Sequence, residues 1–125
     1  MENKQRLEQL IVKFNRYDIE NKKAKSIITR QKEGIKRFQN QKESINKSNL
    51  REIDYDLFVV IDTHISKSIK RVRKTIDKNI EIYAHNIKKK ISLAHAILDL
   101  DKDMQVLDKE LCQILIETIK KITVI

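Results

Sequence analysis

The sequence predicts an all-α protein: a long antiparallel helical hairpin of coiled-coil type, followed by a shorter third helix. The 125 residues include no proline and one glycine, the two residues that most strongly interrupt helices. Hydrophobic residues make up 40% and charged residues 36% of the chain, a balance typical of extended helices and too apolar for a disordered tail. Apolar residues also recur every three or four positions over two long segments, which is the period of a helix. We therefore expect a single all-helical domain over residues 1–125, with helices at about 5–46, 53–98 and 101–123.

The first helix carries a heptad seam, in which successive positions alternate at spacings of three and four from Leu7 to Ile45. Three of its positions are polar, namely Asn21, Gln31 and Lys42. Polar residues lower the stability of a coiled-coil core and are kept where they select a register or a partner. The same residues also fit a half-exposed seam in a shallow bundle, and the sequence leaves both interpretations open.

A connection between helices is predicted at residues 44–52, where serine and asparagine collect and the seam is lost. Asn49 and Glu52 have the spacing of a capping box for the second helix, and Asp54 and Asp56 add negative charge to its first turns. Residues 53–60 alternate between apolar and acidic at first and also fit a short strand. Because a lone strand has no partner, we expect helix there.

The second helix carries an apolar stripe with an eleven-residue repeat, since its members follow one another at spacings of four, four and three. The stripe consists of Ile61, Ile65, Ile69, Val72, Ile76, Ile80, Tyr83, Ile87, Ile91, Ala94 and Leu98. An eleven-residue repeat favours a nearly straight or slightly right-handed helix pair, whereas a heptad seam favours left-handed supercoiling. The two helices are therefore not expected to satisfy each other along their full length, which favours packing on a further partner.

A break is predicted near Asp99, because Asp99, Asp101 and Asp103 supply candidate N-caps for a third helix. That helix has a wide apolar face and is expected to fold back across one end of the hairpin as a local three-helix bundle. The alternative is one continuous helix from about residue 54 to about residue 122, with a change of phase near Asp99. The two-stranded part of the hairpin needs cover, so we expect an oligomer, most simply a dimer.

The net charge is +9 and unevenly distributed: residues 1–50 carry 13 basic and 6 acidic groups, residues 51–98 carry 10 and 6, and residues 99–125 carry 4 and 6. Basic groups of the second helix form what we call the basic ridge, which consists of Lys67, Lys70, Arg71, Arg73, Lys74 and Lys78. Such a ridge fits a nucleic-acid backbone, an anionic lipid surface or an acidic protein. It also fits the solvated face of any long helix.

No catalytic, metal-binding or cofactor-binding pattern is recognisable. The three histidines and the serines lack the neighbours that metal or nucleophilic chemistry needs, so we expect no enzyme, no cofactor and no metal site. The single cysteine, Cys112, lies in an apolar helical run and fits a reducing cytoplasm. The first residues contain no apolar stretch of signal-peptide length, and no apolar run is long enough to span a membrane. The expected location is therefore the cytoplasm.

These features predict a non-enzymatic interaction or scaffold protein that self-associates or docks on a helical protein partner through its long apolar seams. The residues expected to carry this packing are Leu10, Phe14, Ile28, Ile35, Ile69, Val72, Ile76 and Ile80. The alternative is a sequence-independent nucleic-acid-binding accessory protein that grips phosphates with the basic ridge. Peripheral attachment to an anionic membrane through the same lysines is a third hypothesis.

Overall fold

The computed structural model describes residues 2–123, without the side chains of residues 121–123. Over these residues the chain forms four α-helices and no strand. The helices are α1 (Glu2–Lys47), α2 (Leu50–Ile53), α3 (Tyr55–Met104) and α4 (Lys109–Thr123). The two long helices, α1 and α3, pack against each other. The predicted all-α class and the predicted pairing of two long helices are therefore confirmed.

Contacts within the chain divide it into two compact units. The terminal unit takes its described residues from Met1–Lys23 and Ile82–Ile125, and the middle unit is Ala24–Glu81. The terminal unit thus contains the first part of α1, the last part of α3 and all of α4. The middle unit contains the remaining parts of α1 and α3, joined through α2.

The core of the terminal unit is apolar and is built from three helices, as predicted for one end of the hairpin. Its buried members are Leu7 and Phe14 from α1, Ala94 and Ile97 from α3, and Leu115 from α4. Partly buried residues of all three helices surround them, among them Leu10, Leu93 and Leu111. The apolar face that the sequence gives α4 is therefore used against both long helices within this unit.

The break between the last two helices lies later in the chain than predicted. Helix α3 continues through Asp99 to Met104, and α4 begins at Lys109. Asp101 is not an N-cap but a buried acceptor: its Oδ1 atom accepts the N–H groups of Val106 and Leu107, at 2.8 and 3.2 Å. The N-terminus of α4 is instead capped by Asp108, whose Oδ1 atom accepts the N–H group of Leu111 at 2.7 Å. The predicted break and the helix after it are confirmed, the predicted position at Asp99 is wrong, and so is the alternative of one continuous helix.

The turn after α3 contains a left-handed residue, Gln105, with φ at +51°. Glycine adopts this conformation without the steric cost that a Cβ atom brings. We therefore expect Gln105→Gly to raise the free energy of unfolding by up to about 1 kcal/mol. Chemical denaturation measures the change. The control is Gln39→Gly at an exposed position inside α1, which is expected to lower stability by about 1 kcal/mol. A loss of stability in both variants would contradict strain at Gln105.

The connection between the two long helices falls where the sequence predicts it, but its capping differs. Asn49 is the N-cap of the short helix α2, and its side chain makes no capping hydrogen bond. Helix α3 is capped by Asp54, whose Oδ1 atom accepts the N–H group of Leu57 at 3.1 Å. The predicted capping box of Asn49 and Glu52 is therefore wrong. Residues 53–60 are helical apart from Asp54, so the helical interpretation of that segment is confirmed.

The middle unit is a two-helix pairing with a thin core. Its buried apolar side chains are Ala24 from α1 and Phe58, Ile65, Ile69 and Ile76 from α3. The Nζ atom of Lys42 donates a hydrogen bond to the Ser66 Oγ atom at 3.0 Å, which places the end of α1 beside the start of α3. The two helices are therefore antiparallel in this unit. At the seam position of Lys42, the contact between the helices is a hydrogen bond and not an apolar contact.

The apolar stripe describes the buried face of α3 in only part of its length. Ile65, Ile69 and Ile76 are buried in the middle unit, but the next member, Ile80, is 46% exposed. In the terminal unit the buried positions of α3 are Asn86, Ala94, Ile97 and Asp101, and only one of these four belongs to the stripe. In this unit a position of α3 is buried when its side chain faces the neighbouring helices, whether or not the residue is apolar. The eleven-residue repeat therefore does not mark the buried face of α3 there.

Candidate interaction surfaces

The basic ridge lies on the outward face of α3 in the middle unit. All six of its side chains are exposed. Lys67, Arg71, Lys74 and Lys78 follow one another at spacings of four, three and four, so they share one face of the helix. This face stands opposite the apolar side chains that α3 buries in the same unit. At a rise of 1.5 Å per residue, the ridge is about 16 Å long.

None of the six ridge cations forms an ion pair with a residue that the structure describes. Asp77 follows Arg73 by four positions but lies outside ion-pair distance of it. Like charges four positions apart on a helix cost about 0.2–0.5 kcal/mol per pair, and the ridge contains three such pairs. The ridge is therefore a concentration of positive charge that weakens the helix carrying it.

Four lysines outside the ridge form ion pairs, namely Lys22, Lys42, Lys47 and Lys90. The Nζ atom of Lys47 lies 2.9 Å from the Glu43 Oε1 atom, and that of Lys42 lies 4.0 Å from the Asp62 Oδ1 atom. The sequence shows part of this difference, since Glu43 precedes Lys47 by four residues whereas no acidic residue stands four positions before any ridge cation. Cations of α1 such as Lys25, Arg30 and Lys32 also lack such partners within residues 2–123, and the ridge is distinguished from them by having six cations within twelve residues.

A second exposed surface, which we call the acidic–apolar segment, comprises residues 52–60 just before the ridge. Its exposed apolar side chains are Ile53, Tyr55, Leu57, Val59 and Val60, with exposed fractions of 78, 58, 44, 40 and 65%. Its acidic residues, Glu52, Asp54 and Asp56, are also exposed. Sequence reasoning missed this surface because it used the alternating pattern only to choose between strand and helix. The available signal was helical spacing, which places Val60 two turns before Lys67 on the same face.

The outward face of α1 in the terminal unit also exposes apolar side chains. Val12 is 60% and Ile19 is 55% exposed, and the two stand seven residues apart on one helix face. Two shallow depressions of 680 and 570 Å³ follow this face between Gln5 and Lys23. Arg16 lines both depressions. Neither Val12 nor Ile19 belongs to the predicted seam, which lies on another face of α1.

The eight residues predicted to carry association are distributed between core and surface. Phe14, Ile69 and Ile76 are buried within their own units. The partly buried ones are Leu10, Ile28, Ile35 and Val72. Ile80 is exposed. The seams are thus occupied to a large extent by contacts inside the chain.

A charged cluster crosses from α3 to α1 in the terminal unit. The Nζ atom of Lys90 lies 2.7 Å from Asp18 Oδ1 and 5.3 Å from the centroid of the Phe14 ring, while Lys22 lies 3.1 Å from Asp18 Oδ2. Partial burial raises the pKa of Asp18, but hydrogen bonds from Lys90 and Lys22 and their positive charges outweigh it and hold the pKa below its usual range. Lys90 is therefore a structural cation that fixes α3 against α1.

Two buried asparagines lie in the same unit, Asn21 on α1 and Asn86 on α3. They are 6% and 3% exposed. The Asn21 Oδ1 atom and the Asn86 Nδ2 atom have no hydrogen-bond partner within the part of the chain that the structure describes. Asn21 is one of the polar positions of the predicted α1 seam. On α3 the predicted apolar stripe includes Ile87, whereas the structure buries the adjacent residue, Asn86, more deeply.

The remaining candidate chemistry is sparse. Within residues 2–123, no three histidine, cysteine, aspartate or glutamate side chains come together as metal ligands. His64, His85 and His95 are exposed, and Cys112 is a free, partly buried thiol. The described helices include none that combines the length and the apolar character needed to cross a membrane. Comparisons of the chain with protein-family models, curated proteins and solved structures found no match.

Proposed function

We propose that the chain is a non-enzymatic helical interaction protein, which self-associates or docks on a helical protein partner. The observation that carries this proposal is the exposure of large apolar side chains on outward helix faces, above all Ile53, Val60, Val12 and Ile19. Apolar side chains that cluster on a surface are typical of interaction sites. Since the seams favoured by the sequence are occupied inside the chain, the contact with a partner falls on these outward faces.

The outward face of α1 has the spacing that a partner helix needs. Val12, Arg16, Ile19 and Lys23 follow one another at intervals of four, three and four residues. A partner helix laid along this face can cover Val12 and Ile19 with apolar side chains. Acidic residues at its edges would then face Arg16 and Lys23, which sets a preference for an acidic amphipathic helix.

The test is a variant that carries Val12→Glu and Ile19→Glu. For the wild-type chain we expect sedimentation velocity to give a mass above 14.9 kDa at high concentration, or native mass spectrometry of material isolated from cells to reveal a bound protein. The variant should lose the bound partner protein with its helix content unchanged, because two charges are placed where the partner helix makes apolar contact. The matched control is Ser92→Glu with Ala96→Glu, which adds the same charge at exposed positions of the same unit. A monomeric wild-type chain with no bound protein contradicts the proposal.

A second candidate function is sequence-independent binding to a nucleic-acid backbone through the basic ridge. The six exposed and unpaired cations favour it, because each phosphate neutralised releases a counterion whatever the base sequence. If four to six cations contact duplex DNA, the logarithm of the binding constant should fall with the logarithm of salt concentration at a slope of about −4 to −5.

The matched test compares two variants of equal charge. One changes Lys67, Arg71, Lys74 and Lys78 to glutamate, and the other changes four exposed cations of α1 in the same unit, Lys25, Arg30, Lys32 and Lys36. Each replacement removes two units of charge, so both variants fall from +9 to +1. Fluorescence anisotropy with duplex DNA should show loss of binding in the first variant alone. Equal loss in both would indicate a general charge effect and contradict a role for the ridge. Vesicle flotation with anionic lipid gives the corresponding test for a membrane surface.

A further inference from the structure

We propose that a second copy of this chain packs antiparallel along the outward face of α3, so that the acidic–apolar segment of each copy lies against the basic ridge of the other. This inference rests on the proposed function, and it names the partner for self-association. It is carried by residues of the middle unit alone.

The outward face of α3 has two ends of opposite charge. Asp56 and Val60 precede Lys67 by eleven and seven residues, which are close to whole numbers of helical turns, so all three share the face of the ridge. The face therefore begins with exposed acidic and apolar side chains and ends with exposed basic ones. A surface of this kind is complementary to itself when it is turned end for end.

The antiparallel sense follows from the charges. A parallel and in-register pair would place the ridge of one copy against the ridge of the other, and like charges in direct opposition destabilise an interface. In the antiparallel pair, a two-fold axis beside Thr63 and His64 sets Asp56 of one copy opposite Arg71 of the other, because these positions are equally distant from the axis in sequence. The same symmetry repeats the contact on the other side of the axis, and the assembly closes as a dimer.

The apolar side chains gain cover in this arrangement. Val60 is opposite Lys67 of the second copy, and lysine can lay its aliphatic stem over an apolar side chain while its ammonium group stays in water. Leu57 and Val60, 44% and 65% exposed in the single chain, are both brought under the second helix. The dimer therefore removes exposed apolar surface and positive repulsion together.

The first test is an exchange of charge between Asp56 and Arg71. Each single variant, Asp56→Arg or Arg71→Asp, sets like charges opposite each other at two symmetric contacts. We expect the dissociation constant of the dimer to rise about tenfold or more in each, measured by sedimentation equilibrium. The double variant restores opposite charges and should return to within about threefold of the wild-type value. Lys78→Asp is the control, because it makes the same charge change on this face at a position beyond the point where the second copy's α3 begins at Tyr55.

The second test is symmetric cross-linking. In a Cys112→Ser background, Thr63→Cys lies beside the two-fold axis and should form an intermolecular disulfide on mild oxidation, whereas Lys78→Cys should not. A dimer that is indifferent to both the charge exchange and the position of the cysteine overturns this inference while the proposed self-association stands. A chain that dissociates only when Val12 and Ile19 are changed has its contact on α1 and also overturns it. A wild-type chain that stays monomeric at every concentration overturns the inference and leaves the proposed function with partner docking alone.

Discussion

Replacing Leu115 with alanine is expected to lower the free energy of unfolding by about 2–5 kcal/mol, because the side chain is fully buried and the substitution leaves a cavity. Leu115 is the member of α4 that enters the core built by α1 and α3 in the terminal unit. Its loss removes apolar contact with both long helices. Urea denaturation followed by circular dichroism measures the change, since the described chain is almost entirely helical.

The matched control for Leu115 is its neighbour Ile114. Ile114→Ala removes the same number of carbon atoms from the same helix, but the side chain is 45% exposed. We expect this variant to lose less than about 1 kcal/mol, because an exposed side chain leaves no cavity and alanine favours helix. Similar losses in the two variants would show that Leu115 does not anchor α4, and would contradict the three-helix core.

Replacing Asn86 with leucine is expected to raise the free energy of unfolding by about 1–3 kcal/mol, which is unusual for a change at a buried position. The Asn86 Nδ2 atom is buried without a hydrogen-bond partner among the described residues, so folding removes it from water with no compensation. Leucine has a similar shape and no polar group to desolvate. The same denaturation experiment measures the gain, and Asn21→Leu should show a gain of the same order, because its Oδ1 atom is likewise buried without a partner among the described residues.

Asn15→Leu provides the comparison for Asn86. Asn15 is exposed on α1 in the same unit, so its replacement should change stability by no more than about 0.5 kcal/mol, the difference in helix propensity. A loss of stability in Asn86→Leu would mean that the amide is hydrogen-bonded in solution. If the gain is observed, Asn86 is a buried residue that lowers stability, which is typical of polar residues that select the register between two helices.

Local sequence signals predicted the helices well and their ends less well. The scarcity of glycine and proline and the three–four spacing of apolar residues were enough to place both long helices. The acidic cluster misplaced the start of the last helix, because aspartate accepts backbone N–H groups both before a helix and after one. Asp108 does the first and Asp101 the second. Only the folded chain distinguishes these roles, since Asp101 acts on residues that follow its own helix.

The sequence allowed the residues of the basic ridge to be predicted better than the residues of the core. The face of a helix follows from residue spacing, so the grouping of Lys67, Arg71, Lys74 and Lys78 was predictable. Their lack of ion-pair partners was only partly predictable: none of them has an acidic residue four positions before it, but the unpaired state of Arg73 and Asp77 depends on side-chain positions. The burial of Asn86 and the exposure of Ile80 were also beyond sequence reasoning, which assigns apolar residues to the core before polar ones. The outward apolar side chains, such as Val12 and Val60, were not predicted because they lie outside both the seam and the stripe, and on the two long helices a role was predicted only for apolar residues within these two sets.

The crowding of positive charge on α3 links folding to binding. Repulsion among the ridge cations lowers the stability of the free helix, so any anion that neutralises them contributes twice: through its own contact and through the repulsion it relieves. By thermodynamic linkage, a ligand that binds the ridge raises the melting temperature of the protein. Simple salt also raises the melting temperature, because it screens the repulsion among the ridge cations, but the same screening weakens the binding of an anionic ligand. Salt should therefore act in opposite directions on the stability of this helix and on its affinity for an anionic partner.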